Sequence, residues 1–264
     1  MKWILISALM LPMTVFADQA KDWNAAAETL MARGSWDQAR LTYLRLHGLL
    51  EKTLGPEHPQ TVMALANACD ASVQLASQID ALPVCRRALE LRERVLGPQS
   101  PETARSLSDL ALLYSAEGDL NRAAKLLERA LQIANTDPAS PDAAGLMNNL
   151  GYLYFRRGKQ VRARELFEKA LIVTTVPADQ VTILGNLGAA ELAAHDAKSA
   201  ELHFRRALTV AQESFGSSDP KCLKALNGLS RAEAALGNAG EASEFQRKAQ
   251  TIAELTSISK PSTR

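Results

Sequence analysis

Neither sign of charge prevails in the 264-residue chain: 30 lysines and arginines stand against 29 aspartates and glutamates, a formal charge of +1. Without a basic field there is nothing to hold a phosphate backbone, so nucleic acid is excluded as the first choice of partner. Aromatic residues are scarce at 5%, cysteines number three, and glycine and proline reach only 14 and 11. With 47% hydrophobic and 22% charged residues, that composition describes a folded, soluble chain and excludes disorder, collagen and a membrane bundle. No glycine-rich phosphate loop, no strand for one to follow and no Gly-x-Ser-x-Gly elbow is found. The four histidines, His47, His58, His195 and His203, lack metal-ligand spacing and read as surface residues. The carboxylates Glu51, Glu90, Glu93 and Glu128 alternate with lysine and arginine in the ordinary pattern of solvated helix faces. No nucleophile, base or metal set emerges, so the expectation is a non-enzymatic protein without cofactor.

Residues 1–17 read as a secretory signal: Lys2 is the positive start, Trp3 to Val15 is mostly apolar, and Val15-Phe16-Ala17 is a small-x-small cleavage site. The apolar stretch contains Pro12 and is shorter than the ~20 residues of a spanning helix. Cleavage after Ala17 is expected to leave Asp18 first, zero formal charge and no membrane span, in a periplasmic or secreted protein. No cysteine follows the apolar run to take a lipid.

The rest of the chain repeats itself. Leu54-Gly55-Pro56-Glu57-His58-Pro59-Gln60-Thr61 returns 42 residues later as Leu96-Gly97-Pro98-Gln99-Ser100-Pro101-Glu102-Thr103. A second echo runs through Arg87-Ala88-Leu89, Arg129-Ala130-Leu131, Lys169-Ala170-Leu171, Arg206-Ala207-Leu208 and Lys248-Ala249-Gln250, and reaches back to Arg45-Leu46-His47, which makes six units. Within each unit the apolar spacing is helical and a glycine or polar break divides it. Met147, Leu150, Gly151 and Tyr154 share one face, Gly158 breaks the chain, and Ala163, Leu166, Phe167 and Ala170 form a second face. Each unit therefore reads as a helix hairpin. Pro59, Pro101, Pro141 and Pro220 fall where a first helix would open.

Over roughly residues 20–253 this pattern resembles a tetratricopeptide repeat array: a large residue early in the first helix, a small one at its middle, an aromatic one turn later, then alanine, aromatic and alanine on the second helix. The 42-residue spacing with Leu-Gly-Pro-x-x-Pro-x-Thr between units is similar to kinesin light chain repeats. The resemblance implies an all-α, right-handed superhelical solenoid of about six hairpins. The units fall near residues 20–61, 62–103, 104–143, 144–180, 181–222 and 223–255, within a solenoid over 18–255 and before a frayed tail at 256–264. Ala68 and Ser72 depart from the pattern in the second unit, and Glu191 and Glu233 replace the tyrosine in the fifth and sixth.

In that family the positions of Cys69 and Cys85 face each other across a hairpin. The resemblance thus implies a Cys69–Cys85 disulfide, with two buried free thiols as the alternative. Cys222 is left over, either unpaired or a dimer crosslink. First helices line the concave surface of such arrays, and the matched positions carry Lys21, Asn24, Met63, Asn67, Asp70, Arg105, Asp109, Asn148, Asn149, Tyr152, Asn186, Lys224, Asn227 and Arg231. In kinesin light chain repeats, asparagines at the position of Asn67, Asn149 and Asn186 clamp an extended peptide. An amide offers a donor and an acceptor side by side, which suits that task. Tyr152 with Phe155 would add an apolar pocket, and Lys224 with Arg231 a seat for an acidic group. The function implied is an exported adaptor that binds a peptide or protein segment in its groove. The alternative is a structural, oligomerising or accessory subunit of an envelope or secretion complex that uses the convex face or the ends of the array.

Overall fold

The computed structural model describes residues 13–75, 81–135 and 142–258. Among them are twelve helices and no strand: α1 (Met13–Ala32), α2 (Trp36–Leu54), α3 (Pro59–Val73), α4 (Ala81–Val95), α5 (Pro101–Ala116), α6 (Leu120–Ala134), α7 (Ala143–Arg156), α8 (Gln160–Val173), α9 (Pro177–Ala193), α10 (Ala197–Phe215), α11 (Cys222–Leu236) and α12 (Ala239–Ile258). The protein is all-α with the hairpin repeat that its periodicity predicts. Residues 1–12 of the expected signal and residues 259–264 of the expected tail lie outside the described residues, as does Pro141. The expected cleavage point after Ala17 falls inside α1, and α12 runs to Ile258, three residues into the expected tail. Among the described residues no helix is long and apolar enough to cross a membrane. The chain forms two compact units, one through Asp119 with α1–α5 and one from Leu120 with α6–α12.

Local chemistry starts the helices where the prolines stand. Pro59 and Pro101 occupy the opening turns of α3 and α5, where a missing N–H costs nothing. The Ser100 hydroxyl accepts from the Thr103 N–H at 3.1 Å and caps α5. Pro220 lies in the turn before α11, and Pro177 opens α9, a role the repeat pattern does not assign to it. Among the described residues, five hairpin turns pass through a left-handed residue: Gly34, Gly118, Gly158, Gly237 and, alone among the non-glycines, His195 at φ 63°. That conformation reverses the chain within two or three residues, and α2, α8, α10 and α12 come back against α1, α7, α9 and α11.

In the unit through Asp119, Ala27, Tyr43, Leu46, Leu50, Ala64 and Ala68 join α1, α2 and α3 in one core. The Cys69–Cys85 disulfide fastens α3 to α4, with the two Cα atoms 4.9 Å apart. In the unit from Leu120, small residues let rings approach backbones. A Cβ on Gly151 would stand 2.8 Å from the Phe167 ring, and one on Gly188 2.9 Å from Phe204. Gly228 faces the same Phe204 ring from α11 and is closer still, so a single side chain of α10 is gripped between α9 and α11.

The first-helix position that normally holds tyrosine is a polar anchor. The Tyr114 hydroxyl accepts from Arg86 at 2.7 Å, the Tyr154 hydroxyl donates to Glu128 at 2.6 Å, and Glu233 accepts from Arg205 at 2.6 Å. Each partner sits 26–28 residues earlier, on the second helix of the preceding hairpin. Glutamate at this position is therefore buried with a cation at hand. Glu233 is 1% exposed and is also held by Asn238, and Glu191 meets His203 Nδ1 at 2.7 Å. That contact, more than the opposing cost of burial, raises the pKa of His203.

Candidate functional site

The surface residues expected to bind a ligand occur in both units. In the unit from Leu120 they stand on α7, α9 and α11, which pack side by side, with α9 touching both neighbours. The Asn186 amide on α9 donates through Nδ2 to Asn148 Oδ1 on α7 at 2.7 Å, and its own Oδ1 accepts from Lys224 Nζ on α11. The two contacts each span 38 residues, so a chain of amides and one ammonium crosses three successive first helices. The residue that meets Asn186 is Asn148, while Asn149, the one matched to it by family position, reaches the chain only through a 3.5 Å contact from Asn148. Gly185 gives Lys224 its place: a Cβ there would lie 3.0 Å from Lys224 Cδ. No sequence signal marked Gly185, because its importance depends on a residue 39 positions later. Desolvation lowers the pKa of Lys224 below the usual lysine range. Tyr152 stands 44% exposed on α7, and Asn227 and Arg231 are exposed on α11.

In the unit through Asp119 the matched positions divide into two settings. Lys21, Asn24 and Met63 border an apolar groove of about 770 Å³ between α1, α2 and α3, whose floor includes Leu46 and Leu50. Asn67 turns instead to the Tyr43 hydroxyl. Asp70 and Asp109 are hydrogen-bonded to each other, and burial, then the Asp70 charge, hold the Asp109 carboxyl well above the usual carboxylate range. Arg92, buried beside them, donates to Ser106 Oγ at 2.8 Å and to the Glu102 carbonyl at 3.0 Å. Arg105 is exposed on α5. Cys69 Sγ lies within 4.8 Å of oxygens of Asp70 and Asp109, yet that sulfur is committed to its disulfide and the two carboxyls to each other. The set does not suit a metal ion.

Cys222 has a packing role that its place in the sequence does not announce. Thr61 and Thr103 each donate from Oγ1 to the carbonyl of the glycine six residues before, Gly55 and Gly97, at 2.9 Å. Cys222 Sγ makes the same contact to the Gly216 carbonyl at 3.6 Å and is fully buried. Phe215-Gly216 is thus a third copy of the Leu-Gly linker, hidden in the sequence by Ser217, Ser218 and the exchange of threonine for cysteine. Its burial does not suit a dimer crosslink.

Among the described residues, twelve helices in repeated hairpins, with polar side chains in register on α7, α9 and α11, define an all-α helical repeat protein. Sequence profiles described as tetratricopeptide repeat match residues 79–136 and 179–254, and a second such profile matches 108–180. The chain belongs to the tetratricopeptide repeat family. No curated protein sequence matches it. Among solved structures it is similar to BtubC (BKLC) from P. vanneervenii, at 23% identity over 90% of this chain and 95% of that one, with a TM-score of 0.66. PilW, described as a widely conserved type IV pilus biogenesis factor, shares 17% identity over 89% and 98% of the two chains with a TM-score of 0.66. A structure described as the "putative kinesin light chain nearly identical TPR-like repeats" of Podosopora anserina shares 19% identity over 90% and 96%, with a TM-score of 0.50. At these identities the likeness is one of fold.

Proposed function

We propose that this protein is an exported adaptor that binds an extended peptide or protein segment on the face carrying Asn148, Asn149, Tyr152, Asn186, Lys224 and Asn227. The observation that carries the reading is the Asn148–Asn186–Lys224 chain across α7, α9 and α11. It sets amides at a regular spacing on one face, as a ligand backbone repeating its own donors and acceptors requires. Asn186 uses one N–H and one lone pair within the chain and keeps one of each for a ligand. Lys224, which donates to Asn186 Oδ1, presents an ammonium beside the amides that an incoming carboxylate would engage. Fold alone assigns no partner, so the reading rests on these side chains. Export rests on the character of residues 1–17, and a place in an envelope or secretion assembly accords with a pilus biogenesis factor among the neighbours in fold.

A contact through the outer surface is the second reading, favoured by Ile172 at 82% exposed and by Val173, Val176 and Leu202, all bare of cover. Affinity capture with the chain beginning at Asp18 separates the two. The Asn149→Ala/Asn186→Ala/Asn227→Ala variant, checked for an unchanged helical spectrum and melting midpoint, is expected to lose a partner that the wild type retains. Recovery of the same proteins by both forms would move the contact to the outer surface.

A further inference from the structure

The hairpin turn between α7 and α8 gathers three cations against a single carboxylate among the described residues. The guanidinium of Arg157 lies 5.8 Å from the centroid of the Tyr154 ring, the ammonium of Lys159 5.7 Å and the guanidinium of Arg162 5.8 Å. No two of them are therefore further apart than twice the longest of these distances, about one and a half Debye lengths at physiological salt. Among the described residues none of the three forms an ion pair with a carboxylate, whereas Arg164, two residues beyond Arg162, pairs with Glu168 at 3.0 Å. Glu128, which accepts the Tyr154 hydroxyl proton, is the one acid of the cluster and leaves it with a surplus of two positive charges. Lys159 and Arg162 are exposed, Arg157 is half-buried, and the space beside Gly158 at the apex of the turn is open.

The sequence of the other turns shows that this surplus is particular to the fourth hairpin. The position of Lys159, just after the left-handed residue, holds Ser35, Asp119, Asp196 and Asn238 elsewhere. The Asp196 carboxylate accepts from the Ser199 N–H at 3.1 Å and caps α10. Lys159 makes no such cap and adds a charge of the opposite sign. Like charges held this close repel one another, and the arrangement is relieved by an anion of more than one charge. The cluster offers two guanidiniums and one ammonium, and a phosphoryl group takes paired N–H donors from arginine and a point charge from lysine.

We propose that Arg157, Lys159 and Arg162, arranged around Tyr154, form a binding site for a phosphoryl oxyanion. The site is on the hairpin turn, apart from the amide chain of the first helices, and it stands or falls independently of peptide binding. Its source is either a soluble phosphate compound or the headgroup of an anionic phospholipid. Both are tested on the full chain from Asp18 at low salt, with pyrophosphate followed by amide chemical shifts and with phosphatidylglycerol vesicles followed by co-sedimentation.

Amide shifts confined to the Arg157–Arg162 turn, and affinity about tenfold weaker in Arg157→Gln/Lys159→Gln/Arg162→Gln, are the expected result. The distant Arg40→Gln/Arg87→Gln/Lys248→Gln variant loses the same charge and is expected to bind as the wild type does. Binding of vesicles but not pyrophosphate would assign the lipid source, and the reverse the soluble one. The site is overturned if neither probe binds, if both triple variants weaken equally, or if an unphosphorylated oligoglutamate peptide binds the turn as tightly as pyrophosphate. The shift map on the wild type decides the matter even if the site variant proves unstable.

Discussion

Asp109 carries the sharpest consequence of a single side chain's surroundings. Its carboxyl is buried against Asp70, with Arg92 only partly offsetting the cost, and its pKa is therefore well above that of the unfolded chain. The folded protein holds a proton that the unfolded one releases. Its contribution to stability is complete below the unfolded pKa and is lost as pH rises through the folded value. Asp109→Asn cannot ionise and still offers Asp70 a donor. Melting midpoints measured from mildly acid to alkaline pH should fall less steeply in this variant, which should be the more stable form at the alkaline end. A slope identical to that of the wild type would refute the shared proton. Nothing in the one-dimensional pattern announced this pair, since Asp70 and Asp109 are 39 residues apart and read as two solvated groove residues.

Hairpins are the level at which the sequence was most legible. Apolar spacing, the glycine breaks and the Leu-Gly-Pro linkers located the helices because helix periodicity and left-handed turns are local properties. The pairing of Cys69 with Cys85, implied by the family register, is present in the structure. It closes a loop of 16 residues, which on the chain-entropy account is worth about 3 kcal/mol. Reduction should lower amide hydrogen-exchange protection in α3 and α4 by a corresponding factor, with far smaller changes in α11 and α12. Uniform loss along the chain would contradict a local role. The glutamates at the tyrosine position were visible only as exceptions, because their partners His203 and Arg205 come from other helices and are named by packing alone.

For the whole chain, the expected export has a direct consequence. Expressed with residues 1–17 in a secreting host, the protein should be recovered outside the cytoplasm with an intact mass that begins at Asp18. A mass that retains Met1 would remove the basis for export. Cleavage there would also trim α1 and take Phe16 and Ala17 from the wall of the groove that Lys21, Asn24 and Met63 border. Composition, period and the small residues at helix crossings by themselves determined an all-α repeat protein, since each is set by neighbours a few residues away or by the fixed repeat. Which amides meet was decided by tertiary structure: Asn186 reaches Asn148 and Lys224 because α7, α9 and α11 lie side by side, with Gly185 leaving room for a lysine stem. The same holds for the cations around Tyr154, whose spacing along the chain is ordinary. Only the closing of a hairpin turns three separate charges into one field.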